Sequence, residues 1–287
     1  MAKGMYVVNP SRPGFNAMFF GEPGCGKTTM AATAQDCPQM SDVVFMNIEG
    51  GLLSVAHRGD IRAVDIADTA ELERQFWLLK KRDKDSGYDT VRTAVIDSGT
   101  ELQTLDLQEI VTAAMTKMSK SGKQRSIDDI WQEDYGKSTA HMRRVFRMFK
   151  ALPHNVIITA LAKNVYPKSV TNEAEAKALG VEPLIVMPSM TQKVAESVMG
   201  YMDFVWYLFY DQEDQKYKMC TKTVGPYRAK TRGPFFQKAL GDIVEQQSLR
   251  DIYDLYVRVE SEAQSNLDRS RRPTKRGTAQ TTTTKEK

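Results

Sequence analysis

The chain has 287 residues, 41% hydrophobic and 26% charged, with a formal net charge of +4. This reads as a soluble globular chain with one large domain. A run of about 18 apolar residues, which a membrane span needs, and a charged-then-apolar secretory leader are both missing from it. Cys25, Cys37 and Cys220 are an odd number without metal-type spacing, so a reducing, cytoplasmic setting is expected, with no membrane partner.

Residues 1–14 are rich in Pro and Gly, with MYVV as an edge-strand candidate. Residues 17–20 read as a buried strand that runs into Gly21-Glu22-Pro23-Gly24-Cys25-Gly26-Lys27-Thr28, a fit to G-x-x-x-x-G-K-[ST]. A bound triphosphate needs converging backbone N–H groups, a cation near its β/γ oxygens and a hydroxyl for magnesium. The glycines allow the turn, Lys27 supplies the charge and Thr28 the metal-facing oxygen. Small and long-chain residues at 28–35 start a helix, so Thr29 joins the loop in placing phosphate at a helix N-terminus. The expected cofactors are therefore ATP and Mg²⁺.

Cys37-Pro38 ends that helix, and VVFMNI at 43–48 is a second strand running into Glu49-Gly50-Gly51. A third strand is expected at 61–66. Asp68 with Glu71 resembles a capping box and opens a helix over 69–81. Residues 82–90 form a loop. TAVI at 93–96 is a buried strand ending at Asp97-Ser98. Asp97 is placed to act beside Thr28 on the metal, and Glu49 to orient or deprotonate a water. The plain alternatives are an acidic turn residue and a solvated strand-end glutamate.

Two helices are expected at 101–118 and 128–150, joined by a polar, basic, mobile connector at 119–126. Trp131, Tyr135, His141 and the Met142, Val145, Phe146, Phe149 stripe read as helix packing. Another strand at 156–160 precedes a second mobile loop at 163–182, and a helix follows at 189–199. Residues 203–210 and 216–222 look like an antiparallel hairpin, with 226–230 as an extension. A last helix is expected at 249–259, so residues 1–260 form one α/β domain. Its sheet is mostly parallel, flanked by helices, with an antiparallel C-terminal hairpin extension. Residues 261–287 read as a disordered tail. Seven basic side chains against two acidic ones over 264–287 give this end +5 and leave the rest at −1. The tail then offers salt-sensitive attraction, a partner-docking segment or a solubilising end.

GEPGCGKTT, VVFMNIEGG, TAVIDSGTEL and VIITALAKN, in this order, resemble the consecutive motifs of RecA-like P-loop ATPases, most of all the phage-encoded ones of single-strand annealing and recombination. The resemblance implies Glu49 as catalytic carboxylate and Asp97 as the magnesium-side acid. It implies Lys230 and Arg232 as cations reaching a neighbouring subunit's nucleotide, beside the plainer reading of a solvated strand edge. Single-stranded DNA would meet the two mobile loops, through Lys117, Lys120, Lys123 and Arg125 in the first and Lys163, Tyr166 and Lys168 in the second. The partners it implies are single-stranded DNA, further copies of the chain in an oligomer or filament, and a single-strand-binding protein. One departure stands out: where that family has a polar γ-phosphate sensor, this chain has Ala160-Leu161-Ala162, and Thr159, Lys163 or Asn164 would have to substitute. The rivals are a small-molecule or nucleoside kinase and a nucleotide-binding scaffold without turnover; a GTPase lacks its N-K-x-D motif.

Overall fold

A computed structural model describes residues 14–120 and 125–271 of the chain. Its centre is β1 (Asn16–Gly21), buried at all six positions and paired in parallel with β5 (Asn155–Val165) on one side and β7 (Phe204–Asp211) on the other. Beyond β5 lie β4 (Thr93–Asp97), β2 (Val43–Asn47) and β3 (Arg62–Asp65), all parallel. Beyond β7 lie β8 (Lys216–Cys220) and β10 (Ile243–Glu245), both antiparallel to their neighbours. The expected α/β class, with its antiparallel C-terminal extension, is what forms.

Strand side chains alternate between two cores, as a period of two requires. Met18, Phe20, Met46, Ile96 and Ile158 face one side. There they meet Leu72 and Phe76 of α2 (Thr69–Lys81), Phe146 and Phe149 of α4 (Gln132–Lys150) and Val194 of α6 (Gln192–Tyr201). Phe19, Phe45, Val95, Ile157 and Trp206 face the other. Their cover is Met30 of α1 (Lys27–Ala32), Phe236 of α7 (Pro234–Leu240) and Ile252 of α8 (Leu249–Arg271). With apolar cover on both faces, the strands read as continuous apolar runs. Because β1, β5, β4 and β2 are parallel, their C-terminal ends share one edge, where ligands of open α/β sheets bind.

Several expectations are corrected. The stretch 163–182 is not a plain loop: β5 continues to Val165 and pairs with β6 (Ile185–Pro188), and α5 (Glu173–Leu179) starts at Asn172, whose side chain accepts from Glu175 N at 2.9 Å. The Asn-x-x-Glu pattern was the available signal. α8 runs to Arg271, so residues 261–271 are helical where disorder was expected; residues 272–287 lie outside the described residues. β9 (Lys230–Thr231) pairs with β7, while α7 and β10 were not foreseen. Of the connector after α3 (Gly99–Lys120), residues 121–124 lie outside the described residues, Lys123 among them, and of Lys120 only the helical backbone is described. Trp131 and Tyr135 are 45% and 40% exposed rather than packed, whereas His141 joins Asp106 in a hydrogen-bonded pair, and that partner raises its pKa against the opposing effect of burial. Among the described residues no helix is long and apolar enough to cross a membrane.

Candidate nucleotide site

The loop after β1 is shaped by its glycines. A Cβ on Gly21 would lie 2.1 Å from Leu208 O and 2.6 Å from Cys25 Sγ, so only hydrogen fits against β7 there. Gly26 has φ of +89° and caps α1 in the left-handed region, where L side chains are strained. Among the described residues no side chain caps α1 and no acid stands in its first turn, so its leading N–H groups face the cleft. Lys27 Nζ donates to Gly21 O at 3.0 Å and Glu22 O at 2.8 Å, folded onto its own loop. Gly21, Glu22 and Cys25 thus belong to the loop without lining the cavity, and Cys25 Sγ lies behind it, 3.8 Å from Lys27 Nζ.

Thr28 Oγ1 donates to Asp97 Oδ2 at 2.9 Å, and Thr159 Oγ1 donates to Asp97 Oδ1. Burial pushes the Asp97 carboxyl above its usual range against those two hydrogen bonds, with the nearby charge of Glu49 adding to the upward push. A desolvated carboxylate beside a threonine hydroxyl is a donor set that suits magnesium, which prefers one or two carboxylates plus phosphate oxygens. Glu49 is held close by the backbone: Ile48 N and Glu49 N both donate to Asp97 O, at 2.8 and 3.2 Å, carrying the β2–β4 ladder one step past the strand. Its side chain is exposed, and the turn behind it is tied by Gly50 N donating to Asn47 Oδ1 at 3.0 Å.

These groups line one cavity of about 710 Å³, together with Pro23, Gly24, Thr29 and Leu161. Leu161 puts an apolar side chain where the RecA-like pattern has a polar one. Of the three substitutes, Thr159 is engaged with Asp97 and Lys163 Nζ donates to Met190 O, while Asn164 is half-buried on the β5–β6 ladder.

Lys230 and Arg232, expected to reach a neighbouring subunit's nucleotide, lie away from this chain's own loop. Lys230 pairs with Val205, whose partner on β1 is Met18, three residues or roughly 10 Å before the loop. Its Nζ donates to Met199 O, and burial, with the Arg232 charge beside it, lowers its pKa. Arg232 donates to Asp203 Oδ1 at 2.6 Å and Gly200 O at 3.2 Å. Arg125, expected to meet DNA, is instead enclosed in an ion pair with Asp134 and lies 4.3 Å beneath the Trp131 ring. Lys163 is half-buried, and that burial lowers its pKa. Lys117 and Lys168 remain exposed.

The sequence reading missed Tyr217, Gln246, Gln247 and Ser248, which line the same cavity from the other side of β1. The one local signal was Ser248-x-x-Asp251 before an apolar run, a helix start; Ser248 Oγ donates to Asp251 Oδ2 at 2.7 Å and accepts from Asp251 N at 3.2 Å.

A phosphate loop at a helix N-terminus, with two carboxylates from neighbouring parallel strands at its mouth, defines a P-loop nucleoside triphosphatase. Residues 14–234 match the family model of the AAA domain, and the chain belongs to that family of AAA-type P-loop NTPases. Among curated proteins none matches the chain.

Proposed function

We propose that the protein is a magnesium-dependent ATPase that acts on single-stranded DNA as a homo-oligomer, in phage recombination or replication within the host cytoplasm. The observation that carries the catalytic part is the backbone clamp of Glu49 onto Asp97, which holds two carboxylates at the mouth of the cleft that contains Lys27 and Thr28. Lys27 would leave its two loop carbonyls to pair with β/γ oxygens. Thr28 and Asp97 would hold magnesium, which when bound neutralises charge developing on those oxygens. Glu49, exposed at the edge of the cleft, orients the attacking water and accepts its proton.

The DNA part is supported by the motif resemblance and by the exposed cations Lys117 and Lys168. Phosphate release by the full chain, measured with and without single-stranded DNA, tests both parts. Stimulation is the expected result. Turnover without stimulation, joined to an absence of DNA binding at low salt, removes the DNA reading and leaves the ATPase. Leu161 favours a second reading, a nucleotide-binding scaffold without turnover, and recovery of intact ATP after long incubation with magnesium would select it.

A further inference from the structure

The sheet order divides the cleft about β1. On one side β5, β4 and β2 deliver Leu161, Asp97 and Glu49; on the other, β8 and the segment after β10 deliver Tyr217 and Gln246 to Ser248. The first side holds the charge that phosphate and metal need. Among the described residues that line the second side, none is charged. The cavity, at about 710 Å³, falls within the size of pockets that enclose whole small-molecule ligands, so a complete nucleotide has room.

The second side is fastened to the phosphate loop. Gln246 Nε2 donates to Cys25 O at 2.9 Å and to Lys218 O at 3.2 Å, while its backbone N donates to Tyr217 O at 2.8 Å. A Cβ on Gly26 would lie 3.0 Å from Gln246 Oε1 and 3.7 Å from Tyr217 Cδ1, so both side chains rest against the turn of the loop. The far end is anchored where Leu249 N donates to Thr33 Oγ1 at 2.8 Å. Tyr217 is half exposed, with the Tyr210 ring set edge-on at 5.0 Å to steady it. Gln247, between two anchored neighbours, is exposed on the cavity wall.

We propose that Tyr217 seats the nucleobase by stacking and that the Gln247 amide reads its edge, so that the site selects a 6-aminopurine nucleotide. The inference rests on the nucleotide-binding reading above. A primary amide sets a donor beside an acceptor, the pairing typical for adenine, whereas the commonest reader of guanine is a cationic side chain, which this half lacks among its described residues. Gln246 to Ser248 lie beyond the residues matched to the AAA family, so the edge-reading group belongs to a segment that the family match does not span.

Equilibrium binding of ATP, GTP and inorganic tripolyphosphate to the full chain with magnesium decides the matter. Wild type should bind ATP more tightly than either of the others. Tyr217→Ala should weaken ATP by roughly 5- to 150-fold while leaving tripolyphosphate unchanged, and Tyr217→Phe should keep wild-type affinity. Gln247→Ala should narrow the ATP-to-GTP ratio, again without moving tripolyphosphate. Tyr217→Ala binding ATP as wild type does, or losing ATP and tripolyphosphate equally, overturns the proposal. A wild type that binds tripolyphosphate as tightly as ATP overturns the base seat alone, whereas one that binds neither overturns the nucleotide site and the seat together.

Discussion

Thr28 Oγ1 donates a 2.9 Å hydrogen bond to Asp97 Oδ2, tying the first turn of α1 to the tip of β4 across the intervening strand β5. Asp97 thereby keeps one oxygen on Thr28 and the other on Thr159. Asp97→Asn retains the shape of this contact but removes the charge that opposes magnesium. The expected outcome is a folded chain whose magnesium-dependent phosphate release falls by roughly 100-fold or more. Wild-type turnover with an unchanged magnesium titration would remove Asp97 from the metal site.

Lys27 and Glu49 should separate binding from turnover. Lys27→Ala deletes the cation that the loop would turn from Gly21 O and Glu22 O to phosphate, and should abolish nucleotide binding in a direct titration. Glu49→Gln leaves the backbone clamp on Asp97 O intact, since that clamp uses only main-chain atoms. It should bind nucleotide normally and slow phosphate release by roughly 10²- to 10⁴-fold. Normal hydrolysis by Glu49→Gln would assign the water to another group.

The difference between these residues and the misread ones is physical. Gly21, Gly26, Lys27 and Thr28 share a contiguous stretch whose chemistry is local, and Glu49 and Asp97 are placed by the ends of parallel strands, so their placement was legible. A basic side chain in a sequence carries no sign of its acceptor. Arg125 meets Asp134, Lys163 meets Met190 O and Arg232 meets Asp203, pairings set by tertiary folding that the sequence does not announce, whereas Lys117 and Lys168 stay exposed. Gln246 reaches Cys25 across 221 positions from just after a three-residue strand with almost no periodic signal, which hid half of the cleft.

The Arg125–Asp134 pair yields a stability prediction. Both side chains are fully covered, and the Arg125 hydrogen bond holds the Asp134 carboxyl below its usual range. Asp134→Ala leaves a covered guanidinium with, among the described residues, only the Asp129 carbonyl as hydrogen-bond partner. Removing one partner of an enclosed pair should cost about 3 kcal/mol or more. Arg125→Met combined with Asp134→Leu should recover most of it in denaturant unfolding. A single variant that unfolds at the wild-type midpoint would show that water already screens the pair.

Single-stranded DNA binding should discriminate between Lys163 and Lys168. Lys168 is exposed, so Lys168→Glu should weaken binding across all sequences and flatten its salt dependence by about one released counterion. Lys163→Gln should change thermal stability through the lost bond to Met190 O while leaving the salt slope alone. The reverse pattern would mean that the β5–β6 ladder opens when DNA binds.

His154 sets an acid limit on the fold. It is 3% exposed, and neither ring nitrogen has a hydrogen-bond partner among the described residues. Burial, with the Arg82 charge adding to it, pushes its pKa down to about 4. The unfolded chain, with an ordinary imidazole near pH 6.5, binds the proton more readily over that interval. Stability from the neutral ring is therefore complete above about pH 6.5, falls as pH drops toward 4 and levels off below, for a total of roughly 3 kcal/mol. His154→Leu, similar in bulk and unable to charge, should lose less stability than wild type between pH 6.5 and 4. The readout is the difference between their unfolding free energies at each pH, because carboxylates elsewhere titrate alike in both proteins. Parallel curves would mean that the ring reaches water on protonation.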